Sequence, residues 1–390
     1  MGNKAAICQL QVKSLTPYRF ADRWEEALFH DRPNRFTLAL KSGKRNIRAY
    51  LPNTGRLEEY LVEGSPFYIV PFSSEKFRYR AVSTFYQDSY VLLDTILMNH
   101  LVGSCIEQGL FPWLKDHTCI KQEKCMGNSR FDFCVERRGS PPLIIEVKTC
   151  TLVHNGIAMF PDAPTPRALS HLDHMSRLRG EGFEAVMLFV VPHGGARLFR
   201  PNYHTDPDFS DRVVKERHVS LRAVTMKLTD PVTIDMQTLQ EIPIDLNFAA
   251  NSSNRGSYIL VLENSMDRII EVGGLGFIVF QKGYYVYVGS ALNSLKARLR
   301  RHRRTRKKRF WHIDYLTPDH FKLVKAYAIH RTDRIEHLMA DRVSSIARAA
   351  VAGFGSSDSS ASSHLFYFQT PPFRSAQFMD IVLDFRMGTE

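Results

Sequence analysis

The sequence is poor in cysteine and has no paired spacing. Its six thiols, Cys8, Cys105, Cys119, Cys125, Cys134 and Cys150, form no CxxC or zinc-ribbon pattern in 390 residues. That excludes a disulfide scaffold and a structural zinc site, and leaves reduced, mostly buried thiols. Long hydrophobic runs are also missing. No stretch approaches the roughly 18 apolar residues that cross a bilayer, and the opening MGNKAAICQLQVK has no apolar leader core. The expectation is a soluble cytoplasmic protein with no membrane partner and no bearing on oligomeric state. No repeat of fixed period appears, and a hydrophobic content of 44% is that of a globular chain long enough for two or three domains.

Acidic residues are scarce in the last third. From Asn251 onward there are 21 Lys and Arg against 12 Asp and Glu, so this part carries +9 of the formal +12. Most of the excess lies in KARLRRHRRTRKKR, Lys296 to Arg309. That density suits phosphate contacts with counterion release, and makes Lys296, Arg300, Arg301, Arg304, Lys307 and Lys308 candidate nucleic-acid contacts. A solvated helix face carries the same charge, so the partner is not read from charge alone.

Periodicity divides the chain. RFTLALKSGKRNIRAYLPNTG alternates apolar and polar residues around SGK, which predicts a hairpin with Phe36, Leu38 and Leu40 on one face, and SPFYIVPF continues in that style. Residues 1–90 therefore read as a small β-barrel, with Arg48, Tyr50 and Tyr60 as candidate nucleic-acid contacts through charge and stacking. Helical spacing follows in SYVLLDTILMNHLVGSCIEQGLF, then two strands, RFDFCV and LIIEVKT, then a helix announced by Thr165-Pro166, then the apolar strand EAVMLFVVP. That order predicts a buried sheet over 91–250, with DPDFSD, Asp206 to Asp211, as a loop. The polar NFAANSSNRGS marks a boundary before a third unit, 251–370, and a tail, 371–390.

Two groups of residues carry chemistry. In IIEVKT, Ile144 to Thr149, Glu146 and Lys148 share one face of a strand while Ile145 and Val147 face the opposite layer. With Asp132 from SRFDF on the neighbouring strand, two carboxylates can hold Mg²⁺, and the lysine can position a water for attack on phosphate. An Asp…Glu-x-Lys pattern alone is weak, because Glu–Lys pairs are common on exposed strands. His171 and His174 share a helix face but have no third ligand nearby, so a solvent-facing helix is expected. Arg167 and His171, at i and i+4, can reach a phosphate or simply cap and pack. In the third unit, Tyr285 and Tyr287 share a strand face, and Arg298 and His302 stand one turn apart on the helix that follows. A phenol, a guanidinium and an imidazole can thus converge, with Glu336 as a later carboxylate for a single metal.

LPNTG, SRFDF, IEVKT, FPDAPTPR and SHL occur in that order between about Arg35 and Leu246, and over this span the chain resembles the SfsA family. The resemblance implies an OB-like barrel joined to a PD-(D/E)xK nuclease-like domain associated with DNA. Asp132, Glu146 and Lys148 would then occupy the nuclease positions, with Glu107 on the preceding helix as an additional metal-ligating acid. From about Arg255 to Phe368 the residues GSY, YVG, Arg298, His302, WHIDYL, FGSSD and SHLFYF resemble the GIY-YIG nucleases of the archaeal type. That resemblance implies Tyr258, Tyr287, Arg298, His302 and Glu336 as the active site, with Gly289 allowing close approach. The branch often carries cysteines where this chain has SSASS, Ser359 to Ser363, which leaves His364 as a polar contact there. The expected fold class is α/β multidomain: an OB-like barrel, a PD-(D/E)xK α/β/α domain and a GIY-YIG domain with a small antiparallel sheet. The expected function is a Mg²⁺- or Mn²⁺-dependent DNA endonuclease, with RNA open as a substrate. The alternative is a non-catalytic DNA-binding protein with one or both sites inactive.

Overall fold

A computed structural model describes residues 17–114, 116–317, 319–355 and 363–390. Five strands, Glu25–Asn34, Thr37–Ser42, Arg45–Tyr50, Pro66–Pro71 and Tyr79–Tyr86, close into a barrel because Ala49 pairs in parallel with Tyr79. Alternation places Ala27, Phe29, Leu38, Leu40, Ile47 and Ala49 in the barrel core. Phe36, expected beside Leu38, lies in the preceding turn, where no interior face exists, and is exposed. Tyr60, expected at the nucleic-acid surface, is buried and donates its hydroxyl to the Thr151 carbonyl at 2.5 Å. It anchors the barrel to the next domain. Tyr50 is half-buried and stacks on Phe72.

Hydrogen bonding continues from the barrel through Ser89–Leu92 into the central sheet, in the order Ser220–Asp230, Glu184–Val191, Ser140–Thr149, Ser129–Arg137, His117–Met126. The first three of these are parallel and covered on both faces, which explains the unbroken apolar run EAVMLFVV. The helix Thr95–Glu107 packs on the face of Ile145 and Val147. The helices Pro166–Leu178 and Pro207–Lys215 cover the face of Ile144. The second of these contains DPDFSD, expected as a loop. Asp206 caps it by accepting from the Phe209 amide, and Pro207 stands at its first position.

The third unit is an antiparallel sheet centred on Gly256–Asn264 and Gly283–Ala291. The helix Leu295–His302 packs on one face, and Glu336–Ile346 and Ala376–Met387 on the other. A hairpin, Arg268–Glu271 with Phe277–Phe280, lengthens the interval between Gly256 and Tyr287. Residues 371–390, expected as a tail, instead supply the helix Ala376–Met387, because Phe378, Val382 and Phe385 complete the core of the third unit. Barrel, α/β/α sheet and small antiparallel sheet are the architecture expected. Among the described residues no helix is long and apolar enough to cross a membrane, and the five described cysteines are free. Cys8 and, apart from Ser363, the Ser359–Ser363 stretch lie outside the described residues.

Candidate active sites

Adjacent antiparallel strands bring Asp132 beside Glu146. Asp132 accepts from the Asn99 side chain at 2.8 Å and from the Val147 amide at 2.8 Å. Oε1 of Glu146 accepts from Lys148 Nζ at 2.5 Å and from His171 Nδ1 at 2.6 Å, while its Oε2 is buried without a hydrogen-bond partner. Asn99, Asp132, Glu146 and Lys148 form the floor of a cavity of about 1010 Å³ that is also walled by Asp162 and Arg167, with His171 behind Glu146. Burial, then the Glu146 charge, pushes Asp132 up to about 6. Burial also pushes Glu146 up, but the His171 hydrogen bond and the Lys148 charge outweigh it and hold Glu146 below its ordinary value.

His171 corrects the expectation of a solvent-facing histidine, for it is buried against Glu146. Its spacing gave a signal: Ala168, His171, Leu172, Met175 and Leu178 are the buried positions of that helix, one stripe at helical period. His174 bonds Ser129 at 2.7 Å. Glu107 does not belong to the site. It lies eight residues beyond Asn99 on the same helix, about 12 Å along the axis, and is exposed. Asn99, missed in the sequence, occupies the turn that faces Asp132.

Among the described residues no three His, Cys, Asp or Glu side chains form a complete metal cage. A hard cation such as Mg²⁺ needs none, since it binds through one or two carboxylates and keeps waters. Asp132, Glu146 and the unpartnered Oε2 fit that demand.

In the third unit, Tyr258, Tyr287, Arg298 and Glu336 line a second cavity of about 670 Å³, together with Trp311 and His312. The rings of Tyr258 and Tyr287 are 6.2 Å apart. Gly289 pairs with Tyr258, and a Cβ there would lie 2.6 Å from the Tyr258 hydroxyl oxygen. The close approach that this glycine permits is therefore to a side chain of its own domain. His302 stands behind the cavity wall, buried, with Nε2 at 3.0 Å from the Tyr258 hydroxyl. Burial, helped by Lys307, pushes His302 down to about 3, and burial pushes Tyr258 up to about 12 and Tyr287 well upward. Both phenols and the imidazole are neutral at pH 7. Glu336 begins the helix Glu336–Ile346, partly exposed, with Oε1 3.7 Å from His364 Nδ1. It is an oxygen donor that could hold one hydrated cation.

Arg298 lies 4.0 Å from the Trp311 ring centroid and Arg301 4.2 Å, so the indole is in contact with two guanidinium groups. Arg301 and Lys307 are not free for nucleic acid. Arg301 holds Asp314 through two bonds of 2.8 and 2.7 Å, and Lys307 lies 3.1 Å from the same buried carboxylate. A buried anion needs such partners. Lys296, Arg300, Arg304 and Lys308 remain exposed, as do Arg48 on the barrel and Arg167 at the first cavity.

Comparison with known proteins divides the chain in the same order. Residues 31–93 match the SfsA N-terminal OB domain, 96–231 the sugar fermentation stimulation protein RE domain, and 257–386 a domain of unknown function, DUF123. The sugar fermentation stimulation protein homolog of Clostridium botulinum (strain Kyoto / Type A2) is 33% identical over 222 residues, 54% of this chain and 96% of the relative. That of Moorella thermoacetica is 33% identical over 215 residues, 54% of this chain and 93% of the relative. The structure of Pyrococcus furiosus SfsA in complex with Ca²⁺ superposes with a TM-score of 0.54 at 25% identity, covering 59% of this chain and 99% of that one.

Proposed function

The chain belongs to the SfsA family, extended by a C-terminal DUF123 domain, and from that premise we propose that it is a divalent-metal-dependent DNA endonuclease with two separate phosphodiesterase sites. The observation that carries this reading is the meeting of Asp132, Glu146 and Lys148 on one cavity floor, with Glu146 Oε2 buried and unpartnered. Asp132 and Glu146 would hold the cation at the first site and Glu336 at the second. The Ca²⁺ bound by the Pyrococcus furiosus relative supports a hard divalent ion, and Mg²⁺ or Mn²⁺ is proposed here. When bound, that ion offsets the charge that develops on the phosphoryl oxygens.

The chain's own groups supply the rest. At the first site Lys148, steered by Glu146, positions the attacking water, and His171 fixes Glu146 in turn. At the second, Arg298 holds the phosphate through its donor fork. As the water oxygen bonds to phosphorus, a water proton would pass to the Tyr258 oxygen and the phenol proton to His302 Nε2, while the ester P–O bond breaks and its oxygen takes a proton from a solvent water; the hydroxide so formed recovers the His302 proton back through Tyr258. His302 acts only through Tyr258 and is a positioning and relay residue.

The test is cleavage of labelled single-stranded, duplex and branched DNA, and of RNA, with Mg²⁺, Mn²⁺ or EDTA. Glu146→Ala should remove one set of products and Glu336→Ala the other, each with DNA binding largely retained. Metal-independent binding without products from any substrate would make the protein a non-catalytic DNA binder.

A further inference from the structure

A third cavity, about 710 Å³, lies between the barrel and the C-terminal sheet. One wall is Asn34 and Arg35 with the segment Thr54–Arg56, and the other is the sheet's edge strand Lys322–Ile329 with Arg303. It adjoins the first active-site cavity, for Arg35, Thr54 and Gly55 line both. Its far end reaches the second site's helix, for Arg303 directly follows the segment that carries Arg298 and His302.

The charge in this cleft is unbalanced. Its two acids are already engaged, Asp31 by Arg374 and Glu58 by Lys325. Arg32 is spent on the carbonyls of Gly55, Arg56, Arg35 and Asn53. Arg35, Arg56 and Arg303 are exposed and make no ion pair among the described residues. Beside them Phe36 is exposed, with the Arg35 guanidinium 5.1 Å from its ring centroid. Guanidinium groups without ion pairs along a groove, with an exposed aromatic ring next to one of them in sequence and in contact with it, suit an unpaired strand: phosphates meet the cations and a base can stack on the ring.

We propose that this cleft is a channel for a single DNA strand, running from the Asp132–Glu146 site past Arg35 and Arg56 to Arg303 and the second site's helix. It rests on the nuclease reading above and adds one substrate path serving both sites. The walls come from different domains held together across the gap by the Glu58–Lys325 and Asp31–Arg374 pairs and by the Glu63 amide on the Arg374 carbonyl. The channel is thus a feature of the joined chain and not of either part.

The experiment measures binding of the full chain, in EDTA, to a labelled oligothymidine long enough to reach both sites and to a duplex of equal length, over a range of salt. The variants are Arg56→Gln, Arg303→Gln and the double. Both side chains are exposed, and an unchanged melting temperature checks that the fold is intact. The double variant should bind the single strand roughly tenfold more weakly, with a log–log salt slope shallower by about 1.4, about 0.7 for each phosphate no longer neutralised on a single strand. The duplex should lose less. Unchanged single-strand affinity and slope, against wild-type binding that is salt-sensitive, would overturn the channel and leave the nuclease reading standing. An equal loss on duplex would overturn the single-strand assignment. Absence of any DNA binding by the wild type would overturn the functional reading itself.

Discussion

Asp132 and Glu146 share one site but differ in their protonation. Glu146 is held as an anion by Lys148 and His171, whereas Asp132 is pushed up to about 6 by burial and by Glu146. A cation at this site must displace the Asp132 proton, so its affinity should be constant above about pH 6 and fall roughly tenfold per pH unit below it. Calorimetric titration with Mn²⁺ between acid and neutral pH checks this, and Asp132→Asn should bind weakly with the pH dependence gone. A flat profile in the wild type would remove Asp132 from the ligand set. The same group has a stability consequence of opposite sense to an ion-paired acid. Its raised pKa makes the protonated fold the favoured one below the ordinary carboxylate range, and that contribution is lost as pH rises through about 6. At this scale Asp132, Glu146 and Lys148 were legible because a strand repeats every second residue. His171 is hidden from a metal-ligand spacing because its place is set by the apolar stripe it sits in, and Glu107 falls outside the site because the turn of its helix that faces Asp132 is eight residues earlier, at Asn99.

At the scale of the element, the basic segment Lys296–Arg309 shows why charge density in a sequence overstates the surface available to a ligand. Trp311 and Asp314 draw cations inward: Arg298 and Arg301 contact the indole, and Arg301 with Lys307 neutralises the carboxylate. Asp314 also accepts from the Phe310 and Trp311 amides, and though burial pushes it up, the Arg301 hydrogen bonds, the Trp311 amide and Lys307 hold it down at about 2. Removing one partner of such a buried cluster leaves uncompensated charge, so Asp314→Ala should destabilise the C-terminal unit by about 3 kcal/mol, read by urea denaturation. In the wild type the Asp314 contribution is complete above the ordinary carboxylate range and is lost as pH falls toward about 2. If Asp314→Ala denatures at the wild-type midpoint, the cluster is not structural, and Arg301 and Lys307 return to the candidate DNA contacts. Element types were mostly legible, since alternation and helical spacing marked strands and helices well. DPDFSD was misread because its acids and proline resemble a turn, although Asp followed by Pro is also how a helix starts. WHIDYL was noted as a pattern, but its role in holding cations depends on contacts distant in sequence.

At the scale of the whole molecule, the helix Ala376–Met387 decides whether the three units behave as one. Phe378, Val382 and Phe385 lie in the core of the C-terminal sheet, while Leu383 and Met387 pack on Leu152 and Met159 of the central domain. Asp384 accepts from His154 Nε2 at 2.8 Å and the Arg386 carbonyl from His204 Nε2 at 2.7 Å, both histidines belonging to the central domain. A tail was expected because the sequence shows no boundary signal there, and burial against two separate domains leaves no single clean stripe to read. Fully burying each large apolar side chain contributes about 1.5–3 kcal/mol, so losing three from one core approaches the roughly 5–15 kcal/mol that a domain has in total. A chain ending at Ser375 should therefore lose the C-terminal sheet and its second site, detected as rapid proteolysis beyond about residue 250 and loss of the products assigned to Glu336. The barrel and central domain keep their own cores, so Mn²⁺ binding at Asp132 and Glu146 should persist. Single-strand binding should weaken beyond what loss of the second site alone explains, since one wall of the cleft goes with the sheet. If the shortened chain resists protease as the full chain does, the last helix is not the strut between the domains, and the ion pairs across the cleft hold them together instead.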